Sequence, residues 1–282
     1  MKLTQRLAIG YIQTKFKLLS ILSKKKTAEK AFDVFGTPFL KSVRKQSVEN
    51  AEIIQFQLNH KKVNGYRWNH PQTRKALILH GFGSAAHKFE DYAVLLAAKG
   101  YEVLAFDAPA HGDSEGDRTN AIEYCAMIKE VMARYGPVES FLAHSFGGIS
   151  LSLALEDTMH DAHTKVVFIA PATETTSAVD GAFNMLKIKN ETVRNEFDKL
   201  VFELSGKKTE WFSMRRAMNN IKASVLWIHD EDDDITPWAD ALKVAEDNHP
   251  NIKFVLTKGL GHRKIYHDEI VKKQVIEFLE KH

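Results

Sequence analysis

Six short, mostly apolar runs punctuate the chain from its first third onward. They are Ala76-Leu77-Ile78-Leu79, Val103 to Phe106, Val138 to Ala143, Val166 to Ala170, Val225 to Ile228 and Phe254 to Leu256. Runs this short and this apolar suit strands covered on both faces, as in a parallel sheet. Helical patterns separate most of them: Phe89 to Lys99, Ala121 to Tyr135, Phe146 to Glu156, Trp238 to Asn248 and a closing Ile265 to Leu279. Strand and helix in alternation predict right-handed crossovers with helices on both faces of the sheet. Ahead of these, Ala51 to Leu58 partly alternates and turns at Asn59-His60-Lys61-Lys62, and Val63 to Trp68 returns. That is an antiparallel hairpin at the front edge. The expected fold class is therefore α/β, a mostly parallel twisted sheet with an antiparallel front hairpin.

One interval breaks the rhythm. About fifty residues separate the run ending at Ala170 from the one starting near Ser224, where a single crossover helix would suffice. Within it Val193, Phe197, Leu200, Val201 and Leu204 recur at helical spacing, with Asn190 as a cap. Residues 173–222 are expected to form a small helical cap insertion; a longer surface crossover is the alternative. The remaining divisions are a basic N-terminal helical segment over 1–50 and a core made of 51–172 and 223–282.

Composition changes this picture little. The 282 residues have ordinary apolar and charged fractions, and no internal repeat stands out. The single cysteine, Cys125, excludes an intramolecular disulfide framework and a cysteine-built metal site, and its apolar helical setting reads as packing. A net charge of +3 gives no argument for nucleic acid, but its distribution is uneven. Eleven Lys/Arg against three Asp/Glu fall within the first fifty residues, which leaves the remainder acidic. The N-terminal apolar run is broken by Lys15 and Lys17, too short to span a bilayer, and followed by Lys24-Lys25-Lys26 instead of a cleavage site. The cytoplasm is the default compartment. Two readings of this segment stand: it docks on the protein's own body, or it makes weak contact with a membrane surface.

Candidate chemistry lies just past the apolar runs, since ligands of an open parallel sheet bind at the carboxyl ends of its strands. Ala143-His144-Ser145-Phe146-Gly147-Gly148 places one serine between strand and helix, on a turn that lifts its hydroxyl above the sheet. His80-Gly81-Phe82-Gly83-Ser84 carries glycines that let the backbone present an N–H. Asp107-Ala108-Pro109-Ala110-His111-Gly112-Asp113-Ser114 shapes a further turn. Asp230-Glu231-Asp232-Asp233-Asp234 reads, by itself, as a solvated acidic loop. Thr257-Lys258-Gly259-Leu260-Gly261-His262 brings a histidine on a flexible, glycine-bearing loop. His144 is expected to point away from the site, and His267 to lie in the closing helix.

Together these stretches resemble the α/β-hydrolase superfamily over roughly residues 75 to 265. The serine stretch is similar to the G-x-S-x-G nucleophile elbow, with Ala143 replacing the first glycine. His80 to Gly83 resembles the H-G-x-G oxyanion loop, and Asp107 to Ser114 the D-x-P-x-H-G-x-S turn. The chain looks most like single-domain esterases, lysophospholipases and serine aminopeptidase-like hydrolases with a short helical cap. The resemblance implies Ser145 as nucleophile, His262 as base and Asp233 as the acid of a catalytic triad, in the superfamily's chain order. Asp232 and Asp234 remain alternatives for the acid, because Asp230 stands where the family pattern has glycine. It also implies an oxyanion hole from the N–H groups of Phe82 and Phe146, and neither metal nor organic cofactor. The expected function is a serine hydrolase, a carboxylesterase acting through an acyl-enzyme on Ser145. Met185, Leu186, Trp211, Phe212 and Met214 are the candidate pocket for an apolar acyl or alkyl group, with packing between cap and body as their other reading. Thioesterase, amidase or peptidase activity would use the same machinery. A non-catalytic protein of this fold that binds a small molecule or partner is the rival class.

Overall fold

The computed structural model describes residues 3–38 and 48–281. The chain opens with two helices, α1 (Leu3–Leu22) and α2 (Lys24–Gly36), followed by the strands β1 (Glu52–Leu58), β2 (Lys61–Trp68) and β3 (Lys75–Leu79). Helix α3 (Glu90–Ala98), β4 (Glu102–Phe106), α4 (Ala121–Tyr135), β5 (Ser140–His144), α5 (Phe146–Leu155) and β6 (Lys165–Ile169) alternate next. Helices α6 (Thr175–Leu186), α7 (Glu191–Ser205) and α8 (Met214–Met218) precede β7 (Ser224–Asp230), α9 (Trp238–Glu246) and β8 (Ile252–Thr257). The chain closes with α10 (Gly261–Lys264) and α11 (Glu269–Glu280).

The eight strands form one sheet in the order β1-β2-β4-β3-β5-β6-β7-β8. Strand β2 runs antiparallel to both β1 and β4, and every pairing from β4 onward to β8 is parallel. The front hairpin and parallel body thus follow the apolar pattern of the sequence. Ile78, Ala105, Leu142, Val167 and Ile228 pack with Leu96 of α3 and Val271, Val275 and Leu279 of α11. The intervening Leu77, Leu104, Phe141, Phe168 and Trp227 are equally buried and alternate to the opposite face. This double burial explains the continuous apolar runs. It also brings the residues after β3, β4, β5, β7 and β8 to one edge of the sheet.

The closing helix is not continuous. Asp268 interrupts the expected Ile265 to Leu279 helix, and its carboxylate accepts the amides of Ile270 and Val271 as an N-cap (3.0 Å each). His267 therefore sits in the single 3₁₀ turn before α11, with its ring against Tyr266.

The chain divides into two compact units, and the division differs from the one read off the sequence. The larger, Pro38–Thr173 with Met214–His282, holds the sheet. The smaller joins Met1–Thr37 to Glu174–Ser213. The first helices and the inserted helices, expected as separate segments, share one apolar core. Phe16, Ala28 and Ala31 are buried there with Val179, Phe183, Leu186, Val193 and Phe197. Phe197 meets Phe183 and Phe35 edge to face, with ring centroids 5.4 and 6.1 Å apart. Two short helices cannot bury these rings alone, so each pair completes the other. Asn190 caps α7 as expected, accepting the Val193 amide. Residues 214–222, assigned to the insertion, go with the sheet, where Arg216 of α8 forms a bidentate pair with Glu156 at the end of α5 (2.6 and 2.7 Å). Residues 39–47 of the expected 1–50 segment lie outside the described residues. Among the described residues no helix is long and apolar enough to cross a membrane.

Candidate active site

Ser145 leaves β5 with φ 54° and ψ −120°, a left-handed conformation that costs a non-glycine residue on the order of 1–3 kcal/mol. The turn is held by its own backbone. The Ser145 amide donates to the Ile169 carbonyl (3.2 Å), and its carbonyl accepts the amides of Gly148 (2.9 Å) and Ala172 (3.0 Å). Small neighbours are obligatory: a Cβ on Gly147 would stand 2.7 Å from the Leu79 carbonyl oxygen.

The histidine and one acid of the acidic loop converge on this serine. His262 Nε2 lies 2.9 Å from Ser145 Oγ, and His262 Nδ1 lies 2.8 Å from Asp233 Oδ2. All three residues are buried, whereas Asp232 and Asp234 are exposed. Asp233 Oδ1 accepts the amides of Ile235 (2.9 Å) and Thr236 (2.8 Å). Burial works to raise the Asp233 pKa, but the hydrogen bond and charge of His262 and those two amides outweigh it and hold the carboxylate below its ordinary range. With Asp233 accepting at Nδ1, that nitrogen carries the proton and Nε2 is left as an acceptor facing the serine hydroxyl.

Three supporting residues were not legible as such. Thr236 places its hydroxyl 2.8 Å from Asp233 Oδ2 and 3.0 Å from His262 Nδ1, tying acid and imidazole together. Asp230, which takes the place of the family's glycine, bridges two loops. Its carboxylate accepts the Asp232 amide (3.0 Å) on one side and the Thr257 hydroxyl (2.7 Å) and Leu260 amide (3.1 Å) on the other. Burial opposes its ionisation, and these donors with the Gly261 amide prevail and lower its pKa. His144 does not turn away: its Nε2–H donates to the His262 carbonyl (3.1 Å), and the two rings lie 4.8 Å apart. Burial, helped by the charge of His262, brings its pKa down to about 3, so it stays neutral.

The glycine loop after β3 lies directly against the elbow. A Cβ on Gly81 would stand 2.9 Å from both His144 Nδ1 and Ser145 Cβ. The rings of Phe82 and Phe146 meet edge to face at 5.6 Å, so the segments carrying those two amides adjoin. Two histidines brace this loop by accepting backbone N–H groups. His80 Nε2 accepts from Ala108 (2.9 Å) while its Nδ1–H donates to the Gly81 carbonyl. His111 Nε2 accepts from Gly83 (2.9 Å) while its Nδ1–H donates to the Pro109 carbonyl. Burial lowers the His80 pKa to about 4, which keeps the accepting nitrogen bare. Asp107 anchors the turn through the amides of Ala86 and Asp113, and burial raises its pKa to about 6.

The candidate pocket residues fall in different places. Leu186 belongs to the apolar core of the smaller unit and is a packing residue there. Phe212 is buried with its ring edge-on to Trp211 at 5.2 Å, and Met214 is buried in the larger unit. Met185 and Trp211 keep accessible surface. Cys125 is half-buried, its thiol pushed up to about 11 by burial.

The Alpha/beta hydrolase family matches this chain over residues 76–271, and the chain belongs to that family. It is 30% identical over 115 residues to the monoglyceride lipase of Homo sapiens, a match that covers 37% of each chain. It is 35% identical over 101 residues to an uncharacterized hydrolase, YugF, of Bacillus subtilis, covering 33% of this chain and 37% of that one. These curated relatives are thus matched over little more than a third of their length. Among solved structures, the Pyrococcus furiosus esterase Pf2001 superposes with a TM-score of 0.64 at 20% identity, covering 85% of this chain and 97% of that one. Est1E of Butyrivibrio proteoclasticus gives 0.61 at 18% identity, covering 80% and 97%.

Proposed function

We propose that this hydrolase cleaves carboxylic esters through an acyl-enzyme on Ser145, as a carboxylesterase. The observation that carries the reading is the buried chain from Ser145 Oγ through His262 to Asp233, with hydrogen-bond distances of 2.9 and 2.8 Å. In this mechanism His262 Nε2 takes the hydroxyl proton as Ser145 Oγ attacks the ester carbonyl. Asp233 holds the Nδ1–H tautomer and stabilises the imidazolium that forms. The carbonyl oxygen becomes an oxyanion, accepted by the N–H groups of Phe82 and Phe146, each lowering the barrier by about 3 kcal/mol. The tetrahedral species collapses, and His262 returns the proton to the departing alcohol. Water then attacks the acyl group, giving one proton to His262, which passes it to Ser145 Oγ as the acyl–oxygen bond breaks and the acid leaves.

The substrate class we favour is an ester with an apolar acyl or alkyl group. That class is consistent with the monoglyceride lipases among the relatives. A fluorophosphonate probe should label Ser145 and no other residue, and Ser145→Ala should remove both labelling and ester turnover while leaving the fold intact. Folded protein that neither reacts with the probe nor hydrolyses any of a panel of p-nitrophenyl esters would instead mark a binding protein built on this fold.

A further inference from the structure

Helix α1 has two unlike faces. Phe16 turns inward to the core of its own unit. Outward stand Tyr11, Leu18, Ile21 and Leu22, which are 71%, 59%, 71% and 82% exposed. At 3.6 residues per turn these four fall within about 100° of arc, with Lys17 just beyond one edge and Lys15 just beyond the other. Lys24, Lys25 and Lys26 continue the positive charge at the helix end, and no Asp or Glu occurs before Glu29. Lys15, Lys17, Lys25 and Lys26 are exposed, and among the described residues none of them forms an ion pair.

A soluble surface rarely leaves four large apolar side chains in one strip. A second copy of the chain is a poor occupant, because a two-fold contact would bring the same lysines together. A fluid interface with anionic headgroups fits both halves of the pattern. The strip would enter the acyl boundary, and the lysine stems would lie along it with their ammonium groups on phosphate. We propose that the outward face of α1 docks this protein on anionic lipid surfaces. The strip is short and single, so docking is weak, reversible and sensitive to salt.

The test is co-sedimentation of the full chain with vesicles of phosphatidylcholine alone or with about a third phosphatidylglycerol. Partition into the anionic vesicles should be at least about tenfold stronger and fall steeply with added salt. Both the Ile21→Ser/Leu22→Ser and the Lys25→Glu/Lys26→Glu variants should lose about tenfold or more, with an unchanged thermal midpoint showing that they fold. Vesicle binding needs no turnover, so Ser145→Ala protein should bind like wild type even if the esterase reading fails. Absent binding, equal binding to neutral vesicles, or full binding by either double variant would overturn the proposal. So would a dimer in light scattering that Ile21→Ser/Leu22→Ser converts to monomer, which would make the strip a contact between copies.

Discussion

Replacing Asp233 by asparagine changes one atom and forces a choice that the surrounding geometry decides. Asp233 Oδ1 accepts two backbone amides, at 2.9 and 2.8 Å, while Oδ2 faces His262 Nδ1 at 2.8 Å. Asparagine has only one acceptor oxygen for these two sides. With its NH₂ toward Ile235 and Thr236 it would oppose two fixed N–H donors. With its NH₂ toward the histidine it opposes the His262 Nδ1–H, which can move by tautomerisation, and the Thr236 hydroxyl, which can turn to the Ala170 carbonyl (3.2 Å). The second arrangement costs less, so His262 carries its proton on Nε2 and meets Ser145 with a donor in place of a base. By analogy with triad aspartates the loss in kcat is roughly 10⁴, which is about 5.5 kcal/mol. The volume is unchanged, so the folded state should survive with a cost of about 1–3 kcal/mol. The assay is kcat for a p-nitrophenyl ester across asparagine variants of Asp230, Asp232, Asp233 and Asp234, each checked by thermal unfolding. Exposed Asp232 and Asp234 should stay within a few-fold of wild type, and Asp230→Asn should mainly lower the unfolding temperature. Asp233→Asn within tenfold of wild type, or a 10⁴ loss at Asp232 or Asp234, would refute this account of the site.

Three further outcomes follow from the surroundings. Gly81→Ala must displace either the elbow or the oxyanion loop, since its Cβ would stand 2.9 Å from Ser145 Cβ; kcat should fall by roughly 10²-fold or more, with KM little changed. Buried neutral His80, His144 and His229 have pKa values below 6.5, so the unfolded chain binds more protons than the native one as pH falls from 6.5 toward 4. Asp107, raised to about 6, opposes them as a single group, and urea unfolding should show stability dropping by at least about 1.4 kcal/mol per pH unit between pH 6 and 4. A flat or rising profile there would contradict the neutral state of these histidines. Medium-chain esters should surpass acetates in kcat/KM, each buried methylene contributing up to about 0.8 kcal/mol. Acetates as the best substrates would refute the apolar substrate class.

The sheet was readable because its inner strands are buried on both faces, so burial alone writes their apolar runs. Ser145 and His262 stood out because each follows such a run, where local chemistry is not averaged over a packed surface, whereas the choice of Asp233 among its acidic neighbours rested on the family resemblance. Asp230 and Thr236 were hidden for the opposite reason. Their meaning depends on donors from β8 and on His262, some thirty residues away, which no local pattern encodes. His144 was misjudged because alternation along β5 predicts only which face a side chain takes, not how near the next loop returns. The break at Asp268 was visible in principle as an aspartate capable of capping, but the apolar periodicity on both sides obscured it.

The smaller unit draws on both ends of a long stretch of chain, since Met1–Thr37 joins Glu174–Ser213. During synthesis α1 and α2 therefore leave the ribosome long before α6 and α7 exist. At about 5–20 residues per second, the wait before residue 213 is made lasts roughly 10–35 s. For that time Phe16, Ala28 and Ala31 have none of their inserted-helix partners, while the first strands of the sheet are already emerging. The two helices thus form the least protected part of the nascent protein, a natural site for chaperone capture. Deleting them should harm the mature chain less by removing atoms than by uncovering Phe183, Val193 and Phe197.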